Sequence, residues 1–315
     1  MVLITTTTGR ATALVAGLLA ASAPVALRAG ETTATTPASA FDLSHWKITI
    51  PTDDNDDGKP DEIDVQELQN FAHPDFFYLD DDGRMVFASP NKAPTTANTT
   101  NTRSELRQML RGSNTRIGTH DPKNNFAVEA RKGSDKFASV GGKLEATLRV
   151  DHVSVNAGDP SKKPAFSAVI GQIHAIKYKS TASGFGYGNE PIKIYYKKFP
   201  DHETGSVFWN YERNLAKDDA DRTDLSVPGF GNPWESMEDP GESGIALGED
   251  FSYTINVHIN TMYLTFQNDR LGTVNHALSL VRGVDEIDNP YSYGGDSLYF
   301  KAGIYNQCST RKGAS

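Results

Sequence analysis

Three short segments carry side chains able to pair with a carboxylate and move a proton. The run from Asn101 to Arg111 sets Arg103, Arg107 and Arg111 four residues apart, with Glu105 among them. Guanidinium groups pair with carboxylates through two parallel hydrogen bonds, so such a cluster could neutralise an anionic ligand. Inside the apolar run Phe166 to Ile176, Gln172 and His174 stand two residues apart. On a strand both would share one face, and an imidazole there can accept a proton near neutral pH. Near the C-terminus, Leu298 to Gln307 alternates. Tyr299, Lys301, Gly303, Tyr305 and Gln307 fall on one side, and Phe300, Ala302 and Ile304 on the other. Phenols, an ammonium and an amide on a single surface suit sugar and carboxylate binding.

Each segment also has a plainer reading: a solvated basic face, a half-buried histidine held by hydrogen bonds, and ordinary amphipathic strand packing. The elements that position them decide. Locally, Thr102 and Glu105 match a helix capping box, and the three Arg would share a helical face. As a strand, Arg103, Glu105 and Arg107 also point one way. Elsewhere β-branched and aromatic residues predict strands at Trp46–Ile50, Met85–Ala88, Lys143–Val155, Ala168–Ile176, Ile192–Phe199, Val207–Tyr211, Phe251–Phe266 and Leu298–Tyr305. Val65–Phe71 is the best helix candidate. Lys217–Gly248 lacks periodicity and reads as long loops that could wall a site. Many short strands separated by Gly, Pro, Asn and Asp point to an all-β antiparallel sandwich or jelly roll. The strand Ile192–Lys198 could give a basic, aromatic rim through Lys193 and Tyr195, or be an exposed edge guarded by Lys.

The 315 residues include 31 Lys+Arg against 40 Asp+Glu, a net charge of -9, with 37% hydrophobic residues and one Cys. That composition excludes disorder and an intrachain disulfide. It also argues against non-specific nucleic-acid binding, which needs surplus cations. No paired-His zinc pattern or Gly-x-Ser-x-Gly nucleophile motif is present. The loop Asp53 to Asp64 resembles the start of a calcium loop, with Gly58 at the sixth position. Asp64 rather than Glu at the twelfth, and the Lys59-Pro60 interruption, favour a solvated turn; calcium is the one cofactor left open there. Ala11 to Ala26, after Arg10 and containing Ala21-Ser22-Ala23, reads as the apolar part of a secretory leader, too short to span a membrane. Residues 1–29 are therefore expected to be a signal peptide, 30–40 a flexible linker, and 41–315 one continuous domain of a secreted protein.

Taken in order, Arg103-Ser104-Glu105-Leu106-Arg107, Gln172-Ile173-His174 and Tyr299-Phe300-Lys301-Ala302-Gly303-Ile304-Tyr305-Asn306-Gln307 resemble the three motifs of polysaccharide lyase family 7, the alginate lyases. The resemblance runs from about Phe41 to Cys308. It implies a β-jelly roll of two antiparallel sheets with an open concave substrate groove, and so a strand at Arg103. It further implies β-elimination: a base takes the C5 proton of a uronate, and the bond to O4 breaks, leaving a C4–C5 double bond.

In that scheme Arg103 and Gln172 neutralise the uronate carboxylate as charge develops, His174 is the general base, and Tyr305 protonates O4. With mannuronate, whose C5 proton lies on the other face, Tyr305 would serve as both base and acid. Glu105, Arg107, Lys301, Tyr299, Gln307, Lys193 and Tyr195 are assigned to positioning and substrate binding, with Glu105 alternatively holding the two Arg in place. Ile173 in Gln-Ile-His is associated in the family with guluronate-containing blocks. Alginate is the expected partner of a monomer, with neither nucleic acid nor membrane involved and no required metal. Rival readings are a non-catalytic carbohydrate-binding jelly roll, a lyase on another polyuronate, and a glycoside hydrolase, which would need two flanking carboxylates.

Overall fold

Phe251–His258 buries every second residue, Phe251, Tyr253, Ile255 and Val257, as a strand with one face on a core must. The computed structural model describes residues 2–5, 35–157, 159–284 and 292–308, and builds them into two layers of such strands. The first sheet runs Gly272–Ser279, Thr261–Asn268, Phe251–His258, Gly142–Val150, Val2–Thr5, Met85–Phe87, Phe77–Leu79. The second runs Asp224–Phe230, Ser206–Glu212, Ile192–Lys197, Ser167–Ala175, Leu298–Asn306, Arg103–Gln108, Trp46–Thr49, Glu62–Ile63. Neighbours along both paths are antiparallel. Leu144, Leu148, Tyr253 and Phe266 of the first sheet pack in one core with Leu106, Ile173, Trp209 and Phe300 of the second. The result is the all-β jelly-roll sandwich that the sequence predicts.

The second sheet's other face is polar, and a bulge in the strand Ser167–Ala175 shapes it. The register slips between Val169 and Gly171 against both neighbours. A Cβ on Gly171 would fall on the Tyr253 hydroxyl, which donates to the Ile170 carbonyl at 2.9 Å. Glycine thus lets the far sheet pin the bulge from below. Val169, Gln172 and His174 are left facing away from the core.

Several elements differ from the local expectation. The Arg103 segment is a strand, not a helix, because it pairs on both sides, with Lys301–Tyr305 and with Trp46–Thr49. Phe251–Phe266 is a hairpin of two strands. Its turn has no Gly or Pro, and Ile259 adopts a left-handed φ of 56°, which sequence punctuation does not signal. Lys217–Gly248 contains the strand Asp224–Phe230, an edge that tolerates Pro228. Ile192–Lys197 is interior to the sheet, so the guarded-edge reading fails. The expected helix is present as Val65–Leu68, capped reciprocally by Asp64 and Glu67.

The apolar part of the expected leader lies outside the described residues, as do residues 30–34 of the expected linker. Within the expected linker, Pro37–Ala40 form one helical turn with Pro37 buried and Ala38 against the core. Among the described residues no helix is long and apolar enough to cross a membrane.

Candidate active site

Pairing in the second sheet brings the three sequence segments side by side. Tyr299 lies opposite His174, Lys301 between Gln172 and Arg107, and Tyr305 between Val169 and Arg103. On the other flank Lys193 sits between Gln172 and Asn210, and Tyr195 between Val169 and Phe208. Segments up to about 200 residues apart in sequence thus share one surface.

Glu105 is the centre of the first cluster. Its carboxylate accepts from Lys301 Nζ, from Gln172 Nε2, and from Arg103 at 3.0 Å, and the side chain is only 2% exposed. Burial opposes a charge there, but Lys301, Arg103 and the hydrogen bonds outweigh it and hold Glu105 below the usual carboxylate pKa. Burial pushes the Lys301 ammonium down to about 8, with Arg103 adding to the shift and Glu105 opposing it. Glu105 therefore holds Arg103 and Lys301, not the two Arg. Arg107 instead stacks on Tyr299, its Cζ 3.9 Å from the ring centre, and donates to the Gln108 and Thr119 carbonyls. Arg111 leaves the strand and donates to the Ile117 carbonyl at 2.6 Å.

Arg103 lies over the Tyr305 ring at 4.1 Å, and its Nε is buried with no partner. An orphaned guanidinium donor beside a phenol is costly unless a ligand accepts from it. The Tyr305 hydroxyl shares a 2.6 Å hydrogen bond with Thr99 Oγ1. Gln307 is fixed to this strand end, donating through Nε2 to the Tyr305 carbonyl at 3.3 Å.

The second cluster gathers around Lys193, which lies 3.5 Å from Glu190, 3.9 Å from Glu212 and 3.6 Å from Asp224. Arg222 pairs with Glu212. Burial raises the Glu212 carboxyl, with Lys193 opposing the shift and Glu190 adding to it, and its Oε2 accepts from the Glu190 N–H at 3.0 Å. Burial likewise opposes charge on Glu190, yet Lys193 and His174 keep it ionised. His174 joins this cluster: Nε2 lies 3.1 Å from Glu190 Oε1, Nδ1 lies 2.7 Å from the Ala175 carbonyl, and the ring stacks on Tyr299 at 5.3 Å. Tyr195 is buried, stacked between Phe208 and Trp234, so it packs the floor of this face rather than rising from it.

Sequence reasoning missed Glu190, Glu212, Asp224, Arg222 and Thr99. Glu212 and Asp224 end strands and pair in register, a signal visible only once the strands are aligned. At the Asp53 loop, the Asp53 carboxylate caps the Asp57 and Gly58 N–H groups, and Asp61 accepts from Thr52. Among the described residues no group of three His, Cys, Asp or Glu is placed to hold a metal.

This geometry can be set beside known proteins. The family model described as "Alginate lyase" matches residues 41–315. A curated alginate lyase from Klebsiella pneumoniae is 38% identical over 284 residues, 88% of this chain and 86% of that protein. The chain belongs to the alginate lyase family. The crystal structure of the alginate lyase from Klebsiella pneumoniae aligns with this family member at TM-score 0.74 and 34% identity, over 88% of this chain and 92% of that one. An exolytic PL7 alginate lyase from Zobellia galactanivorans aligns at 0.65 and 33%, over 85% and 82%. A further member of polysaccharide lyase family 7 shares the fold at TM-score 0.57 and 22% identity, over 88% and 92%. The chain is thus a polysaccharide lyase, and the rivals without elimination chemistry fall away.

Proposed function

We propose that the polar face of the second sheet cleaves the 4-O-linked uronates of alginate by β-elimination and releases 4,5-unsaturated oligosaccharides. The observation that carries this reading is the pairing of Arg103, with its unpartnered buried Nε, and Tyr305, one strand from Gln172 and His174. A C5 proton is weakly acidic because its loss places more charge beside a carboxylate; the site must absorb that charge as it develops. Arg103 can present its free donors to that carboxylate while Glu105 fixes its other end. Gln172 is held by Glu105 through Nε2 and can offer its remaining N–H. The base, His174 for guluronate, takes the C5 proton, the C5–H pair becomes the C4–C5 double bond, and the C4–O4 pair departs with oxygen. Tyr305 then gives its proton to O4, and Arg103 above its ring stabilises the phenolate left behind.

Acceptance of guluronate-containing blocks belongs to the same reading. Ile173 is buried in the core, so it acts by setting the height of Gln172 and His174 rather than by touching sugar. The enzyme is read as an exported monomer with residues 1–29 as a cleaved leader. Cleavage would withdraw Val2–Thr5 from between Met85–Phe87 and Gly142–Val150 in the first sheet. N-terminal sequencing and sedimentation of the exported protein test both points. The activity itself is tested by ultraviolet absorbance during incubation with polyguluronate, polymannuronate and mixed alginate. Growth of the unsaturated-product signal, fastest on guluronate-containing substrates, is expected; a flat trace on all three would reject the reading.

A further inference from the structure

We propose that Thr99 is a positioning residue for the reaction: its hydroxyl donates to the Tyr305 oxygen, which leaves the phenolic proton for the departing O4 and gives the resulting phenolate a hydrogen bond. This rests on the assignment of Tyr305 as the acid. The two hydroxyls share a 2.6 Å hydrogen bond, and each has a single proton to give. Its direction follows from what else Thr99 touches. The Asn101 N–H donates to Thr99 Oγ1 at 3.1 Å, so that oxygen is already an acceptor. Among the described residues, the Tyr305 oxygen is the one partner that can take the Thr99 proton. Were Tyr305 the donor, Thr99 would accept twice and its own proton would meet no protein acceptor. With Thr99 as donor every group is matched, and Tyr305 keeps its O–H for the groove.

The chain around Thr99 holds that hydroxyl in place. Thr95 Oγ1 donates to the Thr99 carbonyl at 2.9 Å, and the Thr99 N–H donates to the Thr96 carbonyl at 3.2 Å, closing a turn. Just beyond it, Arg103 lies over the Tyr305 ring at 4.1 Å, and the Asn306 N–H donates to the Thr102 carbonyl at 3.0 Å. One stretch, Thr99 to Arg103, thus grips Tyr305 at both its oxygen and its ring face. In the step itself the Tyr305 O–H bond breaks and an O4–H bond forms, while the C4–O4 pair passes to O4. The pair left on the phenol oxygen accepts the Thr99 O–H, and a solvent proton later restores the phenol. A hydrogen bond to an anion is stronger than one to a neutral phenol, so the contribution of Thr99 grows as charge develops.

The test uses the full chain and alginate oligosaccharides in single turnover. Thr99→Val keeps the shape of the side chain and removes its O–H. The rate of unsaturated-product formation should fall about 10- to 100-fold, as expected for loss of a hydrogen bond to a charged group, with the half-saturating concentration unchanged. Thr99→Ser, which restores the hydroxyl, should return the rate toward wild type. An unmoved rate in Thr99→Val, a loss confined to the half-saturating concentration, or a loss that Thr99→Ser does not repair would overturn the proposal. A second measurement needs no variant at position 99: the tyrosine Raman doublet of Tyr305, taken as wild type minus Tyr305→Phe without substrate. A phenol oxygen that accepts is expected, and one that only donates overturns the proposal. Because the spectrum needs no turnover, an accepting phenol in a protein that makes no unsaturated product refutes the lyase reading and not the hydrogen bond.

Discussion

Two buried ionic clusters lie on either side of the strand Ser167–Ala175, and they are opposites. Toward Arg103 a single carboxylate, Glu105, is ringed by Arg103, Lys301 and the Gln172 amide. Toward Lys193 a single ammonium is ringed by Glu190, Glu212 and Asp224. The first carries surplus positive charge and suits a substrate carboxylate; the second sets three carboxyl groups against Lys193 and Arg222 and holds the His174 imidazole through Glu190. Gln172 reaches into the first and His174 into the second, two residues apart on one strand. A uronate laid across that strand would meet charge neutralisation on one side and the base on the other. The acidic net charge of -9 is no obstacle, because the field is decided locally.

The contrast can be broken most severely at the two residues proposed to move protons. His174→Ala and Tyr305→Phe should each lower kcat at least about 100-fold with an unchanged circular dichroism spectrum, since neither side chain belongs to the main core. Retained activity in either variant would remove that residue's role. Next comes the positive cluster: Glu105→Gln leaves Arg103 and Lys301 buried without their counter-charge. A stability loss of about 3 kcal/mol in urea titration is expected, together with reduced turnover. An unchanged unfolding midpoint would show that Glu105 does not hold the cluster.

A smaller effect sharpens the comparison through pH. Burial lowers Lys301 to about 8, so it is charged below that pH and neutral above it. Above about pH 8 Glu105 should draw only on Arg103 and Gln172, and kcat should fall. Lys301→Arg, charged throughout, should remove that alkaline limb, and a limb that persists would belong to another group. The smallest effect concerns the Asp53 loop, whose carboxylates cap backbone N–H groups. Chelation should leave both activity and melting temperature unchanged; a fall in either would make calcium a cofactor.

Much of this was legible in the sequence because alternation is a local property. Tyr299, Lys301 and Tyr305 declare their shared face in a single segment, and Gln172 with His174 does the same. The Arg103 segment satisfied helix rules equally well, and only pairing with Leu298–Asn306 on one side and Trp46–Thr49 on the other made it a strand. The acidic cluster was not legible at all. Glu190, Glu212 and Asp224 come from separate segments, and only cross-strand registry plus burial turns three ordinary carboxylates into a partner set for Lys193 and His174. Tyr195 shows the converse: its type suggested part of an aromatic rim for substrate, while Phe208 and Trp234 bury it in the floor.

The most direct test of the two-cluster account is a crystal structure of Tyr305→Phe soaked with a guluronate oligosaccharide. The account predicts a sugar carboxylate within hydrogen-bond distance of Arg103 and Gln172, with C5 of that residue facing His174 Nε2. A carboxylate seated away from Arg103, or a C5 turned from both His174 and position 305, would contradict it.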